Sequence, residues 1–294
     1  MESFAALAHE IAALTGIACA GAPGRSIGGG SINRCYYWPG AGPALFVKVG
    51  ARASQAAFAA EAEGLRELRQ ARALRVPEVL ATGVAGSTAF LALEWIEPGA
   101  ADEACERRLG AGLAALHSVS APHFGWRRDN TIGCTPQANA WSADWAEFFR
   151  ERRLRPQLAL AARQGFARLL AERGERLLEA LPPLLAGHSP RPSLLHGDLW
   201  GGNWLASAAG EAVLFDPAVY YGDRESDLAM THLFGGFGAA FYRAYEAAAP
   251  LPEGAGLRAE LYNLYHVLNH ANLFGGGYAR QASEAIDRLL AAVR

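Results

Sequence analysis

Between residues 194 and 205 the chain reads LLHGDLWGGNWL, with Asp198 and Asn203 five positions apart and Trp200, Gly201 and Gly202 between them. A turn between two strands has no need of an acid and an amide at that spacing. A site that moves a phosphoryl group needs both. One carboxylate must orient an acceptor hydroxyl and take its proton, and further oxygen atoms must hold Mg2+ against nucleotide phosphates. A second carboxylate, Asp216 in LFDPAV, follows the next expected strand. The cation that such a site requires is present as well. Lys48 is the sole lysine of the chain, and Phe46, Val47 and Val49 surround it. Ahead of it lie Gly28, Gly29, Gly30, Ser31, Ile32 and Asn33, a stretch able to cover phosphates. Beyond it, Glu61 shares a helical face with Phe58 and Leu65 and is the expected ion partner of Lys48, with Glu63 competing for that place.

The order of these parts is that of protein-kinase-like enzymes: glycine loop, lysine strand, glutamate helix, Asp-x-x-x-x-Asn, second Asp. Asp198 is then the catalytic carboxylate, and Asn203 and Asp216 are the Mg2+ ligands. Residues 28–33, Lys48 and Glu61 are expected to hold the nucleotide. The backbone of Glu94, Trp95 and Ile96, where a strand enters a linker, is expected to hold the adenine. Trp200 is expected to lie against the acceptor, with Tyr220 and Trp141 as further substrate contacts and Trp145 in the core. Gly201 and Gly202 are expected to leave room for phosphates and metal. Other nucleotide motifs are absent: there is no G-x-G-x-x-G before a helix and no G-x-x-x-x-G-K-[ST]. Pro217 after Asp216, in place of Phe-Gly, points away from protein kinases and towards small-molecule kinases.

The elements that must position these residues follow from periodicity. Phe4, Leu7, Ile11 and Leu14 mark an amphipathic helix rather than a signal peptide. A glycine loop inside a β-hairpin precedes the strand ALFVKVG. A helix over 53–73 and two strands around a glycine-serine turn follow, ending at EWIEPG. From Ala100 the pattern turns helical, with Asp102 as a cap, a mostly helical stretch from 142 to about 181 broken near Pro156 and Gly165, and helices to the end. PSLLHGDLWGGNWL and EAVLFDPAV read as two short strands joined by ASAAG. The fold class is α+β, bilobal and protein-kinase-like, with a small β-rich N-lobe (1–97) and a larger α-helical C-lobe (98–294).

With 294 residues, about half apolar, and a formal charge of -2, the chain has ample core and no basic surface for nucleic acid or anionic lipid. Four scattered cysteines, in neither a C-x-x-C pair nor a zinc spacing, suit a reducing cytoplasm. His266 and His270, four apart on a helix, lack the glutamate of a zinc motif and are expected to pack through hydrogen bonds. Asp227 is expected to cap the helix LAMTHLF and steady the catalytic loop, and His117 to cap the end of its own helix.

HGDLWGGN, FDPAVYYGDRESDLAM, GGGSIN, NTIGCTPQANAWSADWAEFFRERRL and YHVLNHANLFGGGY together resemble the fructosamine kinase (ketosamine-3-kinase) family over nearly the whole chain. A bare H-G-D-x-x-x-x-N would suit aminoglycoside phosphotransferases or choline kinases equally; Trp200 and the TPQANAW block narrow it. The resemblance implies a bilobal kinase, ATP and Mg2+. It also implies phosphorylation of the C3 hydroxyl of a ketosamine, on a small amine or a glycated protein, whose 3-phosphate then eliminates and frees the amine. The runner-up is a phosphotransferase for another small hydroxyl compound, such as an aminoglycoside or amino alcohol. A polycationic drug would call for an acidic pocket, whereas TPQANAW is polar and nearly uncharged. A nucleotide-binding pseudokinase is disfavoured because Lys48, Asp198, Asn203 and Asp216 are all present. Some family members carry a cysteine in the glycine loop; Ser31 stands there in this chain and Cys35 follows four residues later, so Cys35 reads as a half-buried strand cysteine. The expected state is a monomer or weak dimer.

Overall fold

The computed structural model describes residues 4–28 and 33–293. Five strands form one antiparallel sheet in the order β1-β2-β3-β5-β4: β1 (Arg25–Ile27), β2 (Arg34–Trp38), β3 (Leu45–Ala51), β4 (Val79–Ala85) and β5 (Thr88–Glu94). Alternation along β3 splits its side chains between two faces. Leu45, Val47 and Val49 meet helix α1 (Phe4–Thr15) through Leu7, Ala8 and Ile11. Phe4 and Leu14, at the two ends of that apolar stripe, are partly exposed, with Phe4 edge-on to Tyr36 and Trp38 of β2 and Leu14 beside Gly83 of β4. Phe46 and Lys48 face the other way, towards helix α2 (Gln55–Gln70) and the C-lobe. There Phe58, Ala62, Leu65 and Leu68 join the main core.

The C-lobe begins with α3 (Glu103–Ser118), capped as expected by Asp102, which accepts from the Cys105 N–H at 2.7 Å. A hairpin that periodicity missed, β6 (Asn130–Ile132) and β7 (Thr135–Gln137), turns at Gly133, whose φ of 60° favours glycine. The long helical stretch runs as α4 (Trp145–Phe148), a π-turn at Phe149–Leu154, α5 (Arg155–Ala161), a second π-turn at Ala162–Phe166 and α6 (Ala167–Leu184). Pro156 stands in the first turn of α5, directly after the π-turn, which is the irregularity expected near it. Gly165, at φ 94°, does make the kink. LLHGDLWGGNWL contains two strands, not one: β8 (Ser193–Leu195) and β9 (Trp204–Ala206). β9 pairs with β10 (Ala212–Leu214), and β8 pairs with β11 (Tyr220–Gly222). The residues between β8 and β9, and those between β10 and β11, therefore leave two small ladders as adjacent loops. Helices α7 (Glu225–Leu233), α8 (Ala239–Ala248), α9 (Ala255–Phe274) and α10 (Tyr278–Ala291) complete the lobe. Among the described residues no helix is long and apolar enough to cross a membrane.

Candidate active site

Residues from both lobes converge where β3 faces the two loops. Lys48 is 4 % exposed, lies 2.8 Å from Glu61 Oε1, and makes a close ion pair with Asp216 Oδ1. Burial pulls its pKa down, but Asp216 and Glu61 outweigh that and leave it raised, so the ammonium is charged. Glu63, the rival glutamate, points elsewhere: it binds Arg128 at 2.6 Å and Arg127 at 3.3 Å. Asp216 holds a left-handed backbone (φ 56°), strained for a residue other than glycine and immediately followed by Pro217. The following segment is tied down, since the Ala218 N–H donates to the His196 carbonyl at 2.8 Å.

Asp198 sits on the loop after β8, beside Asn203. The Asn203 Nδ2 donates to the Asp198 backbone oxygen at 2.8 Å and to its Oδ2 at 3.2 Å, which fixes the amide and leaves Oδ1 as the free ligand atom. Burial and the neighbouring charge of Asp216 push the Asp198 carboxyl up to about 7, despite the Asn203 bond. Gly197, at φ 83°, admits nothing larger: a Cβ there would stand 2.1 Å from the Ala218 carbonyl oxygen. His196 staples the two loops. Its Nε2 donates to the Phe215 carbonyl at 2.9 Å, and its Nδ1 accepts the Asp198 N–H at 3.3 Å. Burial keeps its pKa low, in accord with that neutral tautomer.

Asp227 accepts from the backbone N–H groups of His196 (2.7 Å) and Gly197 (2.8 Å), so it does steady the catalytic loop. It does not cap α7: it lies within the first turn, and Asp223 receives the Glu225 N–H at 3.1 Å. Nor does His117 cap its helix. Its ring bridges Asp227 (3.1 Å) and the Tyr245 hydroxyl (2.8 Å).

Other expectations divide. Trp200 is 36 % exposed beside Asp198, and its indole covers Gly202, where a Cβ would meet the ring at 2.3 Å. Gly201 packs on Gly235 and Gly236. The room expected at both glycines for phosphates is therefore filled by protein. Tyr220, expected to touch substrate, is 3 % exposed, stacked on Phe148 and covered by the Arg153 guanidinium at 4.0 Å; strand alternation turns it into the core. Trp141 is 47 % exposed and tilted against Tyr221. Trp145 is buried, its Nε1 donating to the Tyr262 hydroxyl at 2.9 Å. Gly29, Gly30, Ser31 and Ile32 lie outside the described residues; Gly28 and Asn33 flank them. Cys35 pairs with Lys48 across β2 and β3. It is more buried than expected, and burial pushes its thiol up to about 11.

At the linker, the Glu94 N–H donates to the Glu78 carbonyl (2.9 Å) and the Trp95 N–H to the Ala44 carbonyl (3.2 Å), so neither is free for a base. The amides of the TPQANAW block are spent on the protein itself. Gln137 donates to Asn130 Oδ1 (2.8 Å) and to the Ala218 carbonyl (3.0 Å), Asn130 to the Val219 carbonyl (2.9 Å), and Arg153 to Asn139 Oδ1 (2.7 Å). It braces the chain just after Asp216, a role that its unusual density of amides between apolar neighbours could have signalled.

The donor set around Asp216 and Asn203 is hard oxygen, which suits Mg2+ rather than a softer metal. A model of the fructosamine kinase family matches residues 3–292. The chain is 45 % identical over 267 residues to a protein named probable ketoamine kinase of Synechocystis, covering 90 % of each. It is 40 % identical over 268 residues to the chloroplastic protein-ribulosamine 3-kinase of Oryza sativa, covering 90 % of this chain and 78 % of that one. A crystal structure from Haemophilus somnus described as a fructosamine-3-kinase superposes with a TM-score of 0.89 at 27 % identity, covering 98 % of both chains.

Proposed function

This chain belongs to the fructosamine kinase family, and we propose that it is an ATP-dependent kinase of ketosamines that phosphorylates the C3 hydroxyl of fructosamine- or ribulosamine-type compounds. One observation carries the reading. Lys48 and Glu61 lie well over a hundred residues before Asp198, Asn203 and Asp216 in the chain, yet all five meet as one linked set of ion pairs and hydrogen bonds.

Asp198 orients the acceptor hydroxyl and takes its proton as the new O–P bond forms. A carboxyl poised near neutral pH is matched to that task. Lys48 meets the α- and β-phosphates, with Glu61 holding it in place, while Asp216 gives up its contact with the lysine. Asn203 Oδ1 and the Asp216 carboxylate would hold Mg2+, which when bound supplies charge neutralisation at the phosphates. With the N–H groups of Glu94 and Trp95 engaged, the adenine is met by carbonyls of this segment and by the backbone of Ile96. Residues 28–33 cover the phosphates, and Trp200 packs on the sugar. The division into lobes falls at 97/98. The 3-phosphate of a ketosamine is a leaving group next to an enolisable carbonyl: loss of a C1 proton expels phosphate from C3 and leaves an imine at C1, and hydrolysis of that imine by water releases the free amine and a 3-deoxy dicarbonyl. Four unpaired cysteines support a cytoplasmic setting.

The test is ADP release against ribulosamines, fructosamines and aminoglycosides, with phosphorus NMR locating the new ester. Turnover of ketosamines with phosphate on C3 is expected. Turnover of aminoglycosides alone would replace this reading with the other small-molecule phosphotransferase.

A further inference from the structure

Lys48 needs Glu61 and Asp216 in place together, yet the two carboxylates ride on different elements. Helix α2 carries Glu61, and the segment after β10 carries Asp216. A seam joins those elements directly. Gly64, one helical turn beyond Glu61, lies against the chain that follows Asp216: a Cβ there would stand 3.2 Å from Val219 Cγ2 and 3.6 Å from Pro217. One turn further, Glu67 accepts from the Tyr221 hydroxyl at 2.8 Å and from Arg127 at 2.9 Å. Glu63 accepts from Arg128 and Arg127. Arg128 is anchored in turn, because its carbonyl accepts the Asn139 Nδ2 at 3.1 Å.

We infer that Glu63, Gly64 and Glu67, with Arg127, Arg128 and Tyr221, form a positioning seam that fixes helix α2 to residues 217–221 and so sets Glu61 and Asp216 as one pair around Lys48. The inference rests on the reading of Lys48 as the phosphate contact. In kinase-like folds the lysine–glutamate pair forms only when this helix is correctly placed. Here the helix is bound to the same strand that follows the metal carboxylate, so nucleotide binding needs no separate step to bring it in. Any one of these pairs alone would contribute little, since the Arg127 side chain is half exposed. The Val219 and Pro217 side chains seated on the bare Gly64 backbone join them into one contact. None of the six residues makes a hydrogen bond or ion pair with Asp198, and only Tyr221 reaches towards the acceptor side, through Trp141, so the seam acts on the nucleotide half of the site and is tested at Glu67 and Arg127 rather than at Tyr221.

The experiment measures MgATP binding by calorimetry without acceptor, beside steady-state kinetics, for Glu67→Gln, Arg127→Gln, the double variant and Gly64→Val. Each glutamine variant is expected to raise the Kd for MgATP about three- to five-fold. The double variant should be no worse than the weaker single, because both break one seam. The KM for ketosamine should stay within about two-fold in all of them. Gly64→Val is expected to be worst, and if it fails to fold the glutamine variants still decide. Wild-type Kd in both single variants, independent multiplication of their effects, or a ketosamine KM that rises in step with the Kd would each overturn the seam. A wild-type protein that does not bind MgATP would overturn the phosphotransferase reading itself.

Discussion

Lys48 and Arg153 are both buried, and their cages differ. Lys48 is held by two carboxylates at the junction of the lobes. Arg153, 0 % exposed, makes no ion pair among the described residues. A π-turn swings it inward, where it donates to the Ala138 carbonyl (2.6 Å), the Arg152 carbonyl (3.0 Å) and Asn139 Oδ1 (2.7 Å), beneath the rings of Tyr220 and Phe148. An ammonium between carboxylates can trade one of them for a phosphate at modest net change in charge. A guanidinium fixed by neutral oxygens and aromatic faces has no such exchange open to it. What it offers is rigidity, passed through Asn139, Asn130 and Gln137 to the carbonyls just beyond Asp216. One cation serves the ligand and the other serves the frame that holds the ligand's carboxylate.

The largest effect expected on the ligand side is at the base. Asp198→Asn should lower kcat by about two to four orders of magnitude while the Kd for MgATP changes only a few-fold. Near-normal turnover would remove Asp198 from its role. The same variant carries a pH signature. The folded pKa of about 7 lies above the value near 4 of an unfolded aspartate, so its contribution to stability is full below pH 4 and lost as pH rises through 7. In the ligand-free protein, Asp198→Asn should therefore melt higher than wild type at pH 8, and the gap should close at pH 4. Turnover of the wild type should rise with pH through the same region, because the base must be deprotonated.

Lys48→Met should cost about a hundred- to a thousand-fold in kcat/KM for ATP. Arg153→Met should do the reverse: about 3 kcal/mol of stability lost in urea titrations, with turnover per folded molecule within a few-fold of wild type. If Arg153→Met kills turnover at full stability, the division between the two cations is wrong. Arg153→Lys should not restore stability, since an ammonium cannot span Ala138 and Asn139 as the planar fork does. The smallest effect is expected at the rim. Trp200→Ala should raise the KM for ketosamine about ten-fold and leave the KM for ATP within a few-fold. A large drop in melting temperature with intact kinetics would make the indole a packing residue of Gly202 alone.

Much of this is legible in the amino-acid sequence alone. The catalytic aspartate and asparagine fall within one short loop, and the lysine announces itself as a lone cation on an apolar strand. Local spacing carries such information because a hairpin or a single helical turn allows few arrangements. Helix α2 was legible too, through Phe58, Ala62, Leu65 and Leu68. Less visible were the hairpin β6–β7 and the π-turns. The strands of the hairpin are three residues long, too short for a period to register, and a π-turn shifts the helical phase by one residue without any mark in composition.

The residue types at the site, their order and the family they belong to were thus set by the sequence itself, because each is a property of a short stretch. Which partner each side chain meets was decided only by the tertiary structure. Glu61 and Glu63 sit two positions apart on one helix, and nothing local says that Lys48 faces the first while Arg127 and Arg128 take the second. Tyr220 and Tyr221 are adjacent, and strand alternation sends one into the core and the other to Glu67. Asp227 finds the catalytic loop about thirty residues back only because α7 packs beneath it. A helix or strand fixes the angle between neighbouring side chains but not which way the whole element faces, and that rotation is settled by burial against chain segments far away in sequence.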